Sequence, residues 1–77
     1  MRRTAVITGG AGFIGSSLVK KLKENNYDPI VYDDYSNASG KMNLPKQTKI
    51  VKGSILNINK LKTICKKADV VFNLAVK

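Results

Sequence analysis

The 77-residue chain has no histidine, no tryptophan and one cysteine, and only five of its residues are acidic. Each scarcity removes a class of chemistry. Without histidine there is no imidazole to serve as general base or to activate a thiol. A single cysteine cannot close an internal disulfide. Cys65 sits among Ile58, Leu61 and Ile64 at helical spacing, which predicts a packed thiol rather than a nucleophile and fits a reducing, intracellular setting. No apolar run approaches the ~20 residues that a membrane span requires. The start, Met1-Arg2-Arg3, is basic, but a short strand-like run follows it and not a secretory core. A cytoplasmic protein without membrane contact is the expectation.

The shortage of acid leaves a formal charge of +9, from fourteen Lys and Arg against five Asp and Glu. Such an excess can signal nucleic acid. The lysines, however, cluster on the outer faces of two amphipathic segments, at Lys20, Lys21 and Lys23 and again at Lys60, Lys62, Lys66 and Lys67. No aromatic platform is interleaved with them, as RNA- and single-strand-binding modules usually require. They read as solvated helix faces, and nucleic acid ranks last among the partners. Acidic residues outside the 77 could also balance the charge. A chain this short makes one small domain, burying only about 60% of the surface that its unfolded form exposes.

What is present is organised around Thr4 to Gly15, TAVITGGAGFIG. Ala5-Val6-Ile7 predicts a strand over residues 4–8, buried on both faces. Gly9, Gly12 and Gly15 then recur at G-x-x-G-x-x-G spacing. The first allows a tight turn off the strand, the second lets bare backbone approach a pyrophosphate, and the third lets the helix lie close to the strand. A helix from about Gly12 to Glu24 aims its unpaired N–H groups and positive dipole end at the turn. Ile14, Leu18 and Leu22, with Val19 beside them, predict the face turned to the sheet. Asn25-Asn26 should stop it.

Tyr27-Asp28-Pro29 reads as a turn and Ile30 to Asp33 as the second strand. Asp33 closes that run at about the distance that the ribose partner of a dinucleotide site needs. Residues 34–47, DYSNASGKMNLPKQ, predict a long polar loop, a length that is usually functional or disordered inside a compact domain. TKIVK, residues 48–52, predicts a partly exposed third strand. Asn57 is a plausible helix N-cap, and Ile58, Leu61, Ile64, Cys65 and Ala68 repeat at helical spacing. Residues 70–75 predict a fourth buried strand. With right-handed crossovers, β-α-β-loop-β-α-β gives a doubly wound, parallel α/β sheet of order 3-2-1-4. The reversal opens a crevice at the carboxyl ends of strands one and four.

The segments TGGAGFIG, DDYSNASGKMNLP and ADVVFNLAV together resemble the amino-terminal part of an extended short-chain dehydrogenase/reductase. The likeness is to the NAD-dependent nucleotide-sugar epimerase/dehydratase branch, of the UDP-glucose 4-epimerase type, and it runs the length of the chain. It implies a partial Rossmann fold, NAD as cofactor and transient hydride transfer in the intact enzyme. It also implies that Gly9, Gly12, Phe13, Ile14 and Gly15 wrap the pyrophosphate and that Asp33 holds the adenosine ribose, favouring NAD over NADP. Asp34, Ser36 and Asn37 would line the adenosine end, and Ser54 and Ile55 would flank the adenine. Leu74, Ala75 and Val76 would run under the nicotinamide-side ribose.

Three residues depart from the family pattern. Ser54 stands where an adenine-binding Asp is usual, Asn73 where a histidine is frequent, and Val76 where a smaller residue is common. The family's catalytic Tyr-x-x-x-Lys is also lacking: Val31, Ser36 and Ser39 lie four residues after Tyr27, Tyr32 and Tyr35. Residues 1–77 are therefore expected to be the amino-terminal part of a cofactor-binding domain. Catalytic and sugar-binding parts are absent, the chain is inactive alone, and a nucleotide sugar is a partner only of the longer parent. A second reading is a non-catalytic binding module that self-associates through the edge of the fourth strand.

Overall fold

The computed structural model describes residues 2–35, 44–46 and 48–75. In chain order the elements are β1 (Arg3–Thr8), α1 (Phe13–Glu24), β2 (Tyr27–Asp33), β3 (Lys49–Lys52), α2 (Ile58–Cys65) and β4 (Val70–Asn73). The strands form one sheet of order β3-β2-β1-β4. All three pairings are parallel, so each of the three connections between successive strands is a crossover.

β1 is the centre, and its apolar run explains why. Ala5, Val6 and Ile7 are all fully buried, which only a strand covered on both faces can achieve. Ala5 and Ile7 project to the side where Val19 and Leu22 of α1, Ala11 and Val31 complete the core. Val6 and Tyr32 are also fully buried, and by strand alternation they belong to the opposite face. The Tyr32 hydroxyl donates to the Ser54 carbonyl at 2.8 Å. Burial raises its pKa above the ordinary tyrosine value, and nearby Cys65 adds to the rise.

Four expectations need correction. The buried face of α1 is Gly15, Ser16, Val19 and Leu22; Leu18 packs against the core from its margin, whereas Ile14 is 74% exposed. Ile14 lies in the first turn of α1, directly after the N-cap Gly12. Tyr27-Asp28-Pro29 is not a turn but the start of β2. The reversal is finished one residue earlier, by Asn26 at φ 66°, a left-handed conformation that asparagine tolerates. Pro29 fits the strand because of register. Tyr32 presents its carbonyl to Gly9 beyond β1, and Asp33 presents its own to Gly53 beyond β3. Alternation therefore turns the Pro29 nitrogen away from β1, and β3 begins only opposite Ile30, so no ladder bond is forfeited.

The third correction concerns β4, which ends at Asn73 and is half-buried, with Val71 43% exposed. The fourth concerns α2. Asn57 caps it as expected, accepting from the Lys60 N–H at 3.3 Å, but none of its residues is fully buried. Cys65 is half-buried and free. Most of the expected 34–47 loop, including Ser36 and Asn37, lies outside the described residues, as does Val76.

The two apolar positions of α1 therefore differ in weight. Val19→Ala should lower unfolding free energy by about 1–3 kcal/mol through lost burial and a residual cavity, whereas Ile14→Ala should change it by less than about 0.5 kcal/mol. Urea denaturation of the two variants measures this, and equal losses would contradict the assigned helix face.

Candidate functional site

The carboxyl ends of β1, β2 and β4 meet at the glycine turn, and hydrogen bonds hold the turn from three sides. The Gly9 N–H continues the sheet by donating to the Tyr32 carbonyl at 2.9 Å. Gly9 then takes φ +72°, where a side chain is strained. A Cβ there would also lie 2.9 Å from the Ala75 nitrogen, so the turn and the segment after β4 are in backbone contact. Gly12 N–H donates back to the Gly9 carbonyl at 3.1 Å. At Gly15 a Cβ would collide with the Gly9 carbonyl oxygen and with Gly10. The third glycine thus makes room for the turn itself rather than for the strand.

Asp33 holds the second side. It is 6% exposed. Its Oδ2 accepts from the Ala11 N–H at 2.9 Å and its Oδ1 from the Tyr35 N–H at 2.7 Å. The acidic residue ending β2 is thereby fixed against the middle of the glycine turn, 22 residues earlier in sequence. Asp34 and Tyr35 follow it, half-buried.

Thr8 holds the third side. It is 1% exposed. Its hydroxyl donates to Asn73 Oδ1 at 2.5 Å and accepts from the N–H groups of Leu74 and Ala75 at 3.1 and 3.3 Å. Sequence reading missed Thr8 as a site residue and treated Asn73 only as a departure from pattern. The available signal was a hydroxyl residue ending an apolar strand directly before a glycine turn, where a side-chain oxygen can pair with nearby backbone N–H groups.

The mouth of α1 lies at the centre of these contacts. Gly12 is its N-cap and supplies no side-chain hydrogen bond. The first intrahelical bond is Ser16 N–H to the Gly12 carbonyl, at 2.9 Å. The N–H groups of Phe13, Ile14 and Gly15 precede it and have no partner within the helix. The side chains of Phe13 and Ile14 are 70% and 74% exposed, so they do not seal the mouth. Uncapped amides at the positive end of a helix dipole form an anion site.

The remaining expected residues divide. Gly53 N–H donates to the Asp33 carbonyl at 2.9 Å, which brings Ser54 and Ile55 to the β2–β3 side of the crevice. The Ser54 hydroxyl is turned to its own chain, accepting from the Leu56 N–H at 3.1 Å. Leu74 and Ala75 lie on the opposite side, against Gly9 and Thr8. Glycine turn, Asp33, Asp34 and residues 54–55 and 74–75 thus surround one sheet end. Among the described residues no cluster of His, Cys, Asp or Glu could hold a metal ion. No described helix is long and apolar enough to cross a membrane.

Residues 5–77 match the model of the NAD dependent epimerase/dehydratase family. The chain belongs to that family. A UDP-N-acetyl-alpha-D-glucosaminuronate decarboxylase of Bacillus cytotoxicus is 35% identical over 77 residues, covering 97% of this chain and 24% of the relative. The UDP-glucose 4-epimerase of Thermotoga maritima, solved with UDP-glucose, superposes with TM-score 0.82 at 37% identity, over 96% of this chain and 24% of that one. The UDP-glucose 4-epimerase of Brucella ovis, solved with NAD, gives 0.80 at 32% identity, over 97% and 23%. This family member thus spans about a quarter of the length of these relatives.

The Thr8 contacts yield a direct test. Thr8→Val removes the hydroxyl, so that Asn73 Oδ1 and the half-buried Ala75 N–H lose this partner while the Leu74 N–H keeps the Thr8 carbonyl at 3.1 Å, which should cost about 1 kcal/mol. Thr8→Ser keeps the hydroxyl and should recover most of it. Thermal and urea unfolding of the pair checks this; a valine variant as stable as the serine variant would contradict the assigned role.

Proposed function

We propose that this chain is the NAD-binding amino-terminal part of a nucleotide-sugar epimerase or dehydratase. One observation carries the reading: the Asp33 carboxylate is bound to the Ala11 N–H at 2.9 Å, so an acidic group and the uncapped mouth of α1 lie side by side. A dinucleotide needs that pair, amides for its pyrophosphate and a carboxylate for the neighbouring ribose. The residues fit the group, because Gly9 leaves no room for a side chain and no side chain caps the helix.

In this reading the backbone of Gly9, Gly12, Phe13, Ile14 and Gly15 binds the pyrophosphate. Asp33 accepts from the adenosine ribose hydroxyls, each carboxylate oxygen having a second lone pair beyond the one that its backbone donor uses. Asp34, Ser36 and Asn37 line the adenosine end, with Ser54 and Ile55 beside the adenine. Leu74, Ala75 and Val76 form the floor under the second ribose. When bound, NAD supplies the acceptor and donor of hydride for the sugar. The 77 residues orient it and hold no Tyr-x-x-x-Lys pair to move the accompanying proton. The nucleotide sugar is a partner of a longer parent. The lone thiol supports a cytoplasmic setting.

Calorimetric titration of NAD into the chain tests the reading. The wild type should bind, and Asp33→Ala should weaken binding by about 10- to 100-fold, the loss of hydrogen bonds to a charged acceptor. Asp33→Asn separates charge from shape. No NAD binding by the folded wild type would overturn the proposal.

A second reading concerns association, and the two edges of the sheet favour it. The β3 edge carries Lys49 and Lys52, both exposed, a common guard against strand pairing. β4, VVFN, carries no charge and exposes Val71. Self-association should therefore use β4. Val71→Lys should shift the sedimenting species toward monomer; a wild type that stays monomeric at high concentration would contradict this.

A further inference from the structure

Among the described residues, two other than glycine take a positive φ, Asn26 and Tyr35. Asn26 follows α1, and asparagine tolerates the left-handed conformation. Tyr35, at φ 66°, stands beside the crevice, and for a bulky side chain that conformation is an outlier. Backbone of this kind persists only where the surrounding structure imposes it, and it gathers at functional sites. Two contacts of the side chain impose it here. It packs against the core cluster that includes Ala11 and Val31. The Lys52 ammonium stands 5.8 Å from the centre of its ring, within the roughly 6 Å reach of a cation–π contact. The left-handed backbone in turn brings the Tyr35 N–H to Asp33 Oδ1, at 2.7 Å.

That bond decides how the carboxylate faces. The Ala11 N–H holds Oδ2, at 2.9 Å. One hydrogen bond leaves the plane of a carboxylate loosely set, because its terminal torsion is broad and roughly two-fold. A second donor on the other oxygen fixes the plane, and with it the directions of the lone pairs left over. We infer that Tyr35 is the positioning residue for ribose recognition: its ring holds the left-handed backbone, and the backbone N–H turns Asp33 to the adenosine 2′-hydroxyl. This inference rests on the reading of Asp33 as the ribose partner. The ring makes the holding contacts, so phenylalanine can take the place of tyrosine. Glycine adopts the left-handed conformation without a ring, whereas alanine has neither the ring nor the freedom.

The test is the preference for NAD over its 2′-deoxyadenosine analogue, the ratio of their dissociation constants measured by calorimetry on the 77-residue chain and its variants. A partial loss of folding weakens both ligands alike and leaves the ratio unmoved, so the ratio reports positioning. The wild type should prefer NAD by about 10- to 100-fold, the contribution of a hydrogen bond to a charged acceptor. Tyr35→Phe should keep that preference. Tyr35→Ala should cut it to within about threefold, and Tyr35→Gly should fall between. Circular dichroism checks that each variant is folded; should the alanine variant fail to fold, a lowered ratio in the glycine variant serves in its place. A full preference kept by the alanine or the glycine variant, or its loss in Tyr35→Phe, would overturn the inference and leave the NAD site standing. A folded wild type that binds NAD without preferring it to the analogue, or that binds neither, would overturn the inference together with the reading of Asp33 beneath it.

Discussion

Both oxygens of the Asp33 carboxylate accept backbone N–H groups from outside the sheet ladder, Ala11 at 2.9 Å and Tyr35 at 2.7 Å. The Ala11 bond ties the end of β2 to a turn that leaves β1, and it does so at a buried position where an unpaired carboxylate would be costly. Without it the turn would hang from Gly9 alone. With it, the open end of α1 is held over the crevice. Thr8 makes the matching tie on the other side, from β1 to the segment after β4. The crevice is therefore built from hydrogen bonds between strand ends, while the apolar core below keeps the strands in register.

The division of labour follows from the sheet order. β1 is central and buried on both faces. Its residues are chosen by packing, and its last residue, Thr8, is the first one free to do polar work. The outer strands are short and half-exposed. Their differences are in charge: lysines flank β3, while β4 is neutral. That asymmetry guards the β3 edge against strand pairing and leaves β4 the edge proposed for chain association.

Much of this was legible in the sequence because it depends on local chemistry. The glycine spacing, the unbroken apolar run of β1, the Asn57 cap and Asp33 at the end of β2 all report short-range constraints. What escaped depends on neighbours distant in sequence. Pro29 looked like a turn residue, since nothing local says that the missing N–H points to a side of β2 where β3 has not yet begun. Ile14 matched the apolar repeat but stands exposed in the first turn of α1. Ser16, a small polar residue, occupies the helix–sheet contact in its place. Thr8 has a role only because β4 pairs beside β1, 65 residues later. The weak burial of α2 was likewise invisible to periodicity, which reports which face is apolar and not how much covers it.

A preorganised but open helix mouth remains the central claim, and residue-resolved amide hydrogen exchange with and without NAD tests it most directly. In the free chain the Ala11 and Gly12 amides should be protected, held by Asp33 and Gly9, while those of Phe13 and Ile14 exchange freely. NAD should slow exchange at Phe13 and Ile14 and leave α2 unchanged. Protection of Phe13 and Ile14 before NAD is added, or exchange there that NAD does not alter, would contradict the account.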